Sequence, residues 1–174
     1  KTHVWATKDH DAILDGIRSG RVFVTTGDLI SALEFSATAG GISASLGEEL
    51  VVESGTEIDV VIRFLDPEST NARGQNPRVE RVDLIRGDLT GVAIDRSNDS
   101  NPTTRVHKRF MAKEFSAVAG MSEVRLKLLA EKSGYLRLRG TNGDELEPTQ
   151  DLLGEDPWSD LWFYSNPIFI RVAE

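Results

Sequence analysis

Apolar and polar residues alternate with period two along most of this chain, the spacing of strands that bury one face. In ALEFSAT (32–38), Leu33, Phe35 and Ala37 fall on one side and Glu34, Ser36 and Thr38 on the other. EIDVVIRF (57–64) turns Ile58, Val60, Ile62 and Phe64 inward, and EVRLKLLAE (123–131) does the same with Val124, Leu126 and Leu128. VERVDLIRG (79–87) predicts Val82 and Leu84 inside, with an Arg81–Asp83 face meeting water. TRVHKRFMAKEF (104–115) is a less regular strand. GYLRLRGT (134–141) follows EVRLKLLAE after a short KSG, which predicts a hairpin between them. PIFIRVA (167–173) turns Ile168, Ile170 and Val172 inward. Its Pro167 has no N–H and suits the first residue of a strand. Ser165-Asn166 before it reads as a tight turn.

The period changes once, near the N-terminus. THV is strand-like. Thr7 or Asp9 can then N-cap a helix whose first turn is acidic at Asp9 and Asp11. Ile13 and Ile17 share one helical face, with Leu14 beside them, and Gly20 is a stop. RVFVTT (21–26) reads as a strand buried on both faces. Three polar loops separate the later strands: 66–77, 87–102 and 142–160. Loops of that length in a compact domain are usually functional or disordered. The pattern predicts a mostly β protein: an immunoglobulin-like antiparallel β-sandwich of about eight strands with one N-terminal α-helix.

Composition narrows the classes of function. The chain has 174 residues, suited to one domain, with 39% hydrophobic and 28% charged residues. Net charge is −8 and the pI is near 5.0, which opposes a general nucleic-acid or anionic-membrane surface. Neither partner is predicted. Arg78, Arg81, Arg105, Lys108 and Arg109 could form a local basic patch, but read better as solvated strand faces. No apolar run approaches the roughly 18 residues of a membrane span. The absence of cysteine removes disulfides, thiolate metal sites and thiol nucleophiles, and does not fix a compartment. The chain opens at Lys1 rather than Met, so the expectation is a processed protein or a piece of a longer one.

Chemistry-bearing motifs are few. There is no GxSxG, and nothing places His3, His10 or His107 beside a particular Ser and Asp. HxH, HExxH and CxxC are absent, as is GxxxxGKS. The acidic pairs Asp9/Asp11 and Glu48/Glu49 are too ordinary to signal a glycosidase dyad. Two acidic loops could hold Ca²⁺ through hard oxygen ligands, one with Asp95, Asn98 and Asp99, the other with Asp151, Glu155, Asp156 and Asp160. Neither matches the EF-hand pattern, and Asp, Asn and Ser are also turn residues. No catalytic, cofactor-binding or metal-ligating residue is therefore assigned.

The C-terminal region holds five of the twelve aromatic residues: Trp158, Trp162, Phe163, Tyr164 and Phe169. Trp158, Trp162 and Tyr164 are the candidate interface. They could alternatively stack on sugar rings in a carbohydrate- or polymer-binding module. Core or interface packing is the simpler reading, under the 142–160 loop or against a partner domain. A calcium-stabilised interaction module is a third reading.

Two stretches carry a resemblance. Thr2-His3-Val4-Trp5 followed by Ala12-Ile13-Leu14-Asp15-Gly16-Ile17-Arg18-Ser19-Gly20-Arg21-Val22-Phe23-Val24-Thr25 and Gly27 resembles the segment after the catalytic domain of metal-dependent hydrolases of the polymerase and histidinol phosphatase (PHP) superfamily. Leu161-Trp162-Phe163-Tyr164-Ser165-Asn166-Pro167-Ile168-Phe169-Ile170 is similar to the YSNPIYV ending of the same two-domain proteins. RVERVDLIRG and SGYLRLRGTN are similar to strands between them. GRVFVTTG and WFYSNPI are the most specific points. The resemblance implies that residues 1–27 link to an upstream catalytic domain absent from this chain, and that 28–174 form the accessory sandwich. Divalent metals such as Zn, Mn or Fe would sit in that upstream domain and activate water for phosphoester hydrolysis. No residue here matches a PHP ligand motif. His3 stands where the family has an aromatic residue, so no metal role passes to it. The implied partner is the protein's own catalytic domain, with a homo-oligomer as a further expectation.

Overall fold

A computed structural model describes residues 1–92, 95–97, 100–148 and 153–173. Thirteen strands and one α-helix form among them: β1 (Thr2–Val4), α1 (His10–Arg18), β2 (Val22–Thr25), β3 (Ala32–Ala39), β4 (Ile42–Ser45), β5 (Glu49–Glu53), β6 (Thr56–Leu65), β7 (Arg81–Asp88), β8 (Arg105–Met111), β9 (Ser116–Val118), β10 (Met121–Ala130), β11 (Gly134–Thr141), β12 (Trp162–Ser165) and β13 (Ile168–Ala173). A single 3₁₀ turn, Ala112–Glu114, separates β8 from β9. The architecture is a β-sandwich with one N-terminal helix, as the alternation predicts. The strands exceed the expected eight because short segments such as ISAS and SAV carry too few positions to show a period.

Five strands form one sheet in the order β4-β3-β6-β10-β9. Its hairpins close through two-residue loops with both residues at positive φ: Gly40 and Gly41 between β3 and β4, Ala119 and Gly120 between β9 and β10. Turns of that hand match the twist of the flanking strands. The other eight strands form the larger sheet, centred on β11. One edge of β11 pairs with β7 along its whole length, and β7 with β8. The other edge pairs with β12 at Arg139–Thr141 and with β13 at Gly134–Leu136. Beyond β12 lie β2 and β1; beyond β13 lies β5, in parallel. Strands β1 and β2 thus share hydrogen bonds with the sandwich.

Residues of both sheets interdigitate in one core, where Leu33, Phe35, Ile58, Val60, Ile62 and Phe64 meet Leu84, Leu136, Leu138, Phe163 and Ile168. The Phe64 and Phe163 rings lie 6.2 Å apart across the sheets, and Phe115 meets Phe64 edge-on at 5.1 Å. Of these, Leu33, Phe35, Ile58, Val60, Ile62, Phe64, Leu84 and Ile168 are inward positions read from the alternation, while Leu126 and Val172, also read as inward, are partly buried against the core.

Four expectations need correction. The β10–β11 hairpin does not form: β10 pairs with β6 and β9, while β11 lies in the other sheet. Residues 131–133 form an arch between the layers, and alternation looks the same on both sides of an arch or a hairpin. Ser165-Asn166 is not a reversing turn. β12 and β13 run in the same direction against β11, and Asn166 marks a break held by its N–H to Val22 O (3.1 Å) and its amide to Gly20 O (3.0 Å). RVFVTT is buried on one face only: Phe23 and Thr25 point into the core and Val24 points out. Finally, Arg81 and Asp83 do not meet water, as described next.

Candidate functional site

Asp83 occupies the middle of β7, flanked on both sides by strands whose opposing residue is an arginine. Register places Arg139 of β11 across from it on one side and Arg109 of β8 on the other. Arg81, two residues earlier on the same face, completes the group. Asp83 is 0% exposed and receives Arg139 Nε at 2.9 Å, with Arg81 Nε at 3.3 Å and Arg109 Nε at 3.4 Å. Oδ2 accepts the hydrogen bond from Arg139, whereas Oδ1 accepts none and is matched by charge alone, at ion-pair distance from Arg81 and Arg109.

The loop after β11 closes over this group. Arg81 donates to the carbonyls of Asp144 (3.4 Å) and Glu145, while Arg109 and Arg139 donate to that of Leu146 at 3.2 and 3.1 Å. Glu147 bridges Arg139 at 2.6 Å and Arg109 at 2.9 Å. The hydrogen bond from Arg139 holds the Glu147 carboxyl below its ordinary range. Trp162 lies beneath, 5% exposed, its ring 5.8 Å from the guanidinium carbons of both Arg81 and Arg139. Its indole N–H donates to Asp160 at 3.0 Å, and Tyr164 stacks beside it at 6.1 Å. Burial raises the Tyr164 hydroxyl pKa.

The reading of Arg81 as part of a solvated strand face is therefore overturned, and Arg109 is half-buried in the same group. Arg78, Arg105 and Lys108 are exposed as expected. The Asp83 cluster escapes the sequence because Arg-x-Asp in a strand reads as a polar face. Only the pairing of β7 with two arginine-bearing strands shows otherwise. Three guanidiniums meet two carboxylates and three carbonyls, so the donors are largely consumed within the chain. This group pins the 144–147 segment to the sheet.

Of the candidate interface residues, Trp162 is covered within the chain by the arginine cluster, Trp158 is half-buried against the core, and Tyr164 is half-buried beside Trp162. A sugar platform needs a free ring face, which Trp162 lacks.

The histidines lie apart. His3 stacks on Phe23 at 4.4 Å, and burial lowers its pKa. His10 begins α1 and is exposed. His107 is exposed on β8, its pKa lowered by partial burial and by Arg86 and Arg105. In the acidic loops, Asp95 accepts from the Ser97 hydroxyl and N–H, Asp156 pairs with Arg73 at 2.5 Å, and Asp160 holds Trp162. Asn98, Asp99 and Asp151 lie outside the described residues. Among the described residues, no group of three or more His, Asp or Glu could hold a metal.

Helix α1 presents a different kind of surface. Asp9 is its cap, accepting from the N–H groups of Asp11 (3.1 Å) and Ala12 (3.3 Å), and Gly20 at φ 71° ends it. The helix approaches the sandwich through Gly16, where a Cβ would lie 2.7 Å from Val4 Cγ1 and 2.9 Å from Trp5 O. This close approach fixes the rotation of the helix and leaves its apolar residues outward. Ile13, Leu14 and Ile17 are 38%, 47% and 52% exposed; Trp5, between β1 and α1, is half exposed and donates its indole N–H to Leu33 O at 3.2 Å.

No family model, curated protein or solved structure matches this chain.

Proposed function

We propose that this chain is the accessory C-terminal sandwich, of immunoglobulin-like type, of a PHP-type metal-dependent phosphoesterase or hydrolase, docking on its catalytic domain through the outer face of α1. The observation that carries the reading is the stripe of Ile13, Leu14 and Ile17, an apolar helix face that its own sandwich leaves uncovered. Such a face is normally covered by a neighbouring surface.

The two most specific stretches of the resemblance also support it. GRVFVTTG and WFYSNPI, far apart in sequence, form adjacent strands: Phe163 lies opposite Thr25, Tyr164 opposite Val24 and Ser165 opposite Phe23. The divalent metals belong to the upstream domain in this reading, and this chain donates no ligand to them.

The reading frame upstream of Lys1 tests the proposal. It is expected to encode an HxH near its start and a DxH just before Lys1. In a protein carrying both domains, Ile17→Asp is expected to loosen the docking and expose the junction to limited proteolysis. An upstream frame without those motifs would overturn the reading. So would EDTA-sensitive hydrolysis of an aryl phosphate by this chain alone.

A further inference from the structure

The outer faces of the two sheets differ away from the Asp83 cluster, which pairs charges on the eight-stranded one. On the five-stranded sheet, charges are paired in ladders: Glu34–Arg63 at 3.1 Å, Arg63–Glu123 at 2.5 Å, Arg125–Glu123 at 2.7 Å and Lys127–Glu57 at 2.5 Å. That is a face finished for water. The eight-stranded sheet instead carries a groove of about 690 Å³, within the range small-molecule sites occupy.

Aromatic residues and one cation build the groove. Tyr135 and Phe169 lie directly opposite each other on β11 and β13. On the far side of Tyr135 stands Gly87 of β7, and the tyrosine ring fills the space a side chain would take there: a Cβ would lie 2.4 Å from its Cζ. Glycine here lets the ring lie across the strand. The Tyr135 hydroxyl meets the Thr104 hydroxyl at 2.5 Å, which fixes the ring and sets two hydroxyls at the rim. Arg137, two residues along the same face of β11, reaches the groove exposed. It has no hydrogen-bond or ion-pair partner among the described residues, unlike Arg63 and Arg125 opposite.

We propose that this groove binds an acidic saccharide, a sugar ring bearing a carboxylate or phosphate. The Tyr135 and Phe169 rings supply apolar surface for the C–H face of a pyranose. The hydroxyl pair meets ring hydroxyls, and the Arg137 fork takes the anion. The site is separate from α1 and independent of the proposed docking role.

Titration calorimetry on the full chain tests it with four probes: a uronic-acid oligosaccharide, its neutral counterpart, a hexose 6-phosphate and inorganic phosphate. At least one acidic sugar is expected to bind at least about tenfold more tightly than the neutral sugar, a margin matching one charge-assisted hydrogen bond. Whichever of the two binds identifies the anion. Arg137→Gln is expected to abolish that margin, and Phe169→Ala to weaken binding of the acidic sugar, with unchanged melting temperatures confirming the fold. No saturable heat from either acidic sugar at millimolar concentration would overturn the proposal. It would equally fail if the neutral sugar bound as tightly, if inorganic phosphate bound as tightly as the sugar phosphate, or if Arg137→Gln retained the margin.

Discussion

Asp83 and Arg139 face each other across β7 and β11, the arginine Nε donating to the carboxylate at 2.9 Å in a site closed to solvent. Arg81 and Arg109 share the same carboxylate. Removing its charge leaves three guanidiniums crowded together, two of them almost fully buried. Asp83→Asn is therefore expected to cost about 3–5 kcal/mol of stability, the range for breaking a buried pair from one side. Urea unfolding followed by tryptophan fluorescence measures it, and Trp162 under the cluster gives a local reporter. Glu147→Gln is expected to cost much less, because Glu147 is mostly exposed.

Much of the sandwich is legible in the sequence because its strands bury one face each. Leu33, Phe35, Ile58, Val60, Ile62 and Phe64 alternate with polar residues and all lie in the core. Illegible features depend on which strands become neighbours. Asp83 turns from a surface residue into a buried anion only because β8 and β11 both bring an arginine to it. Likewise, the groove requires β13 to set Phe169 beside Tyr135 and β7 to set Gly87 on the other side. Each of those residues is ordinary in its own segment. The helix is a mixed case. Its cap, stop and apolar stripe are readable, but the outward rotation of the stripe follows from the contact of Gly16 with Val4 and Trp5.

Gly47 sits at φ 80°, where a Cβ would lie 1.9 Å from the carbonyl oxygen of Ser19. The turn after β4 thus presses on the end of α1. Gly55 has the same φ of 80° with nothing within 4 Å of that position. Gly55→Ala is expected to cost about 1–2 kcal/mol, the left-handed penalty alone. Gly47→Ala adds a collision of backbone with backbone and is expected to cost more than about 3 kcal/mol. Paired thermal melts of the two variants separate strain from collision. Equal losses would contradict the contact.

Glu123 predicts a pH dependence. Hydrogen bonds from Arg125 and then Arg63 bring its carboxyl from an ordinary 4.5 down to about 2. A carboxyl depressed on folding stabilises the native state while the unfolded chain would also be ionised. That stabilisation is full above about pH 4.5 and is lost as pH falls toward about 2. Wild type is therefore expected to exceed Glu123→Gln in urea midpoint by a constant amount near neutrality. The gap should narrow steadily over that acidic interval. A gap that persists below the interval would place the effect in packing instead of charge.

Ile17 and Gly16 are neighbours in sequence and opposites in structure. Ile17 projects from α1 into solvent, while Gly16 is where the helix meets β1. In the isolated chain Ile17→Ser removes no buried contact, so its effect is expected to stay within about 0.5 kcal/mol. Gly16→Val places a branched side chain where the first carbon already falls 2.7 Å from Val4 and 2.9 Å from the Trp5 carbonyl. The helix must then lift from the sheet, and amide exchange across residues 10–18 is expected to accelerate toward that of a frayed segment. Hydrogen exchange read by mass spectrometry distinguishes the two. Slow exchange retained in Ile17→Ser and lost in Gly16→Val shows that the helix is held by its glycine side alone, which leaves the isoleucine stripe free for a second surface.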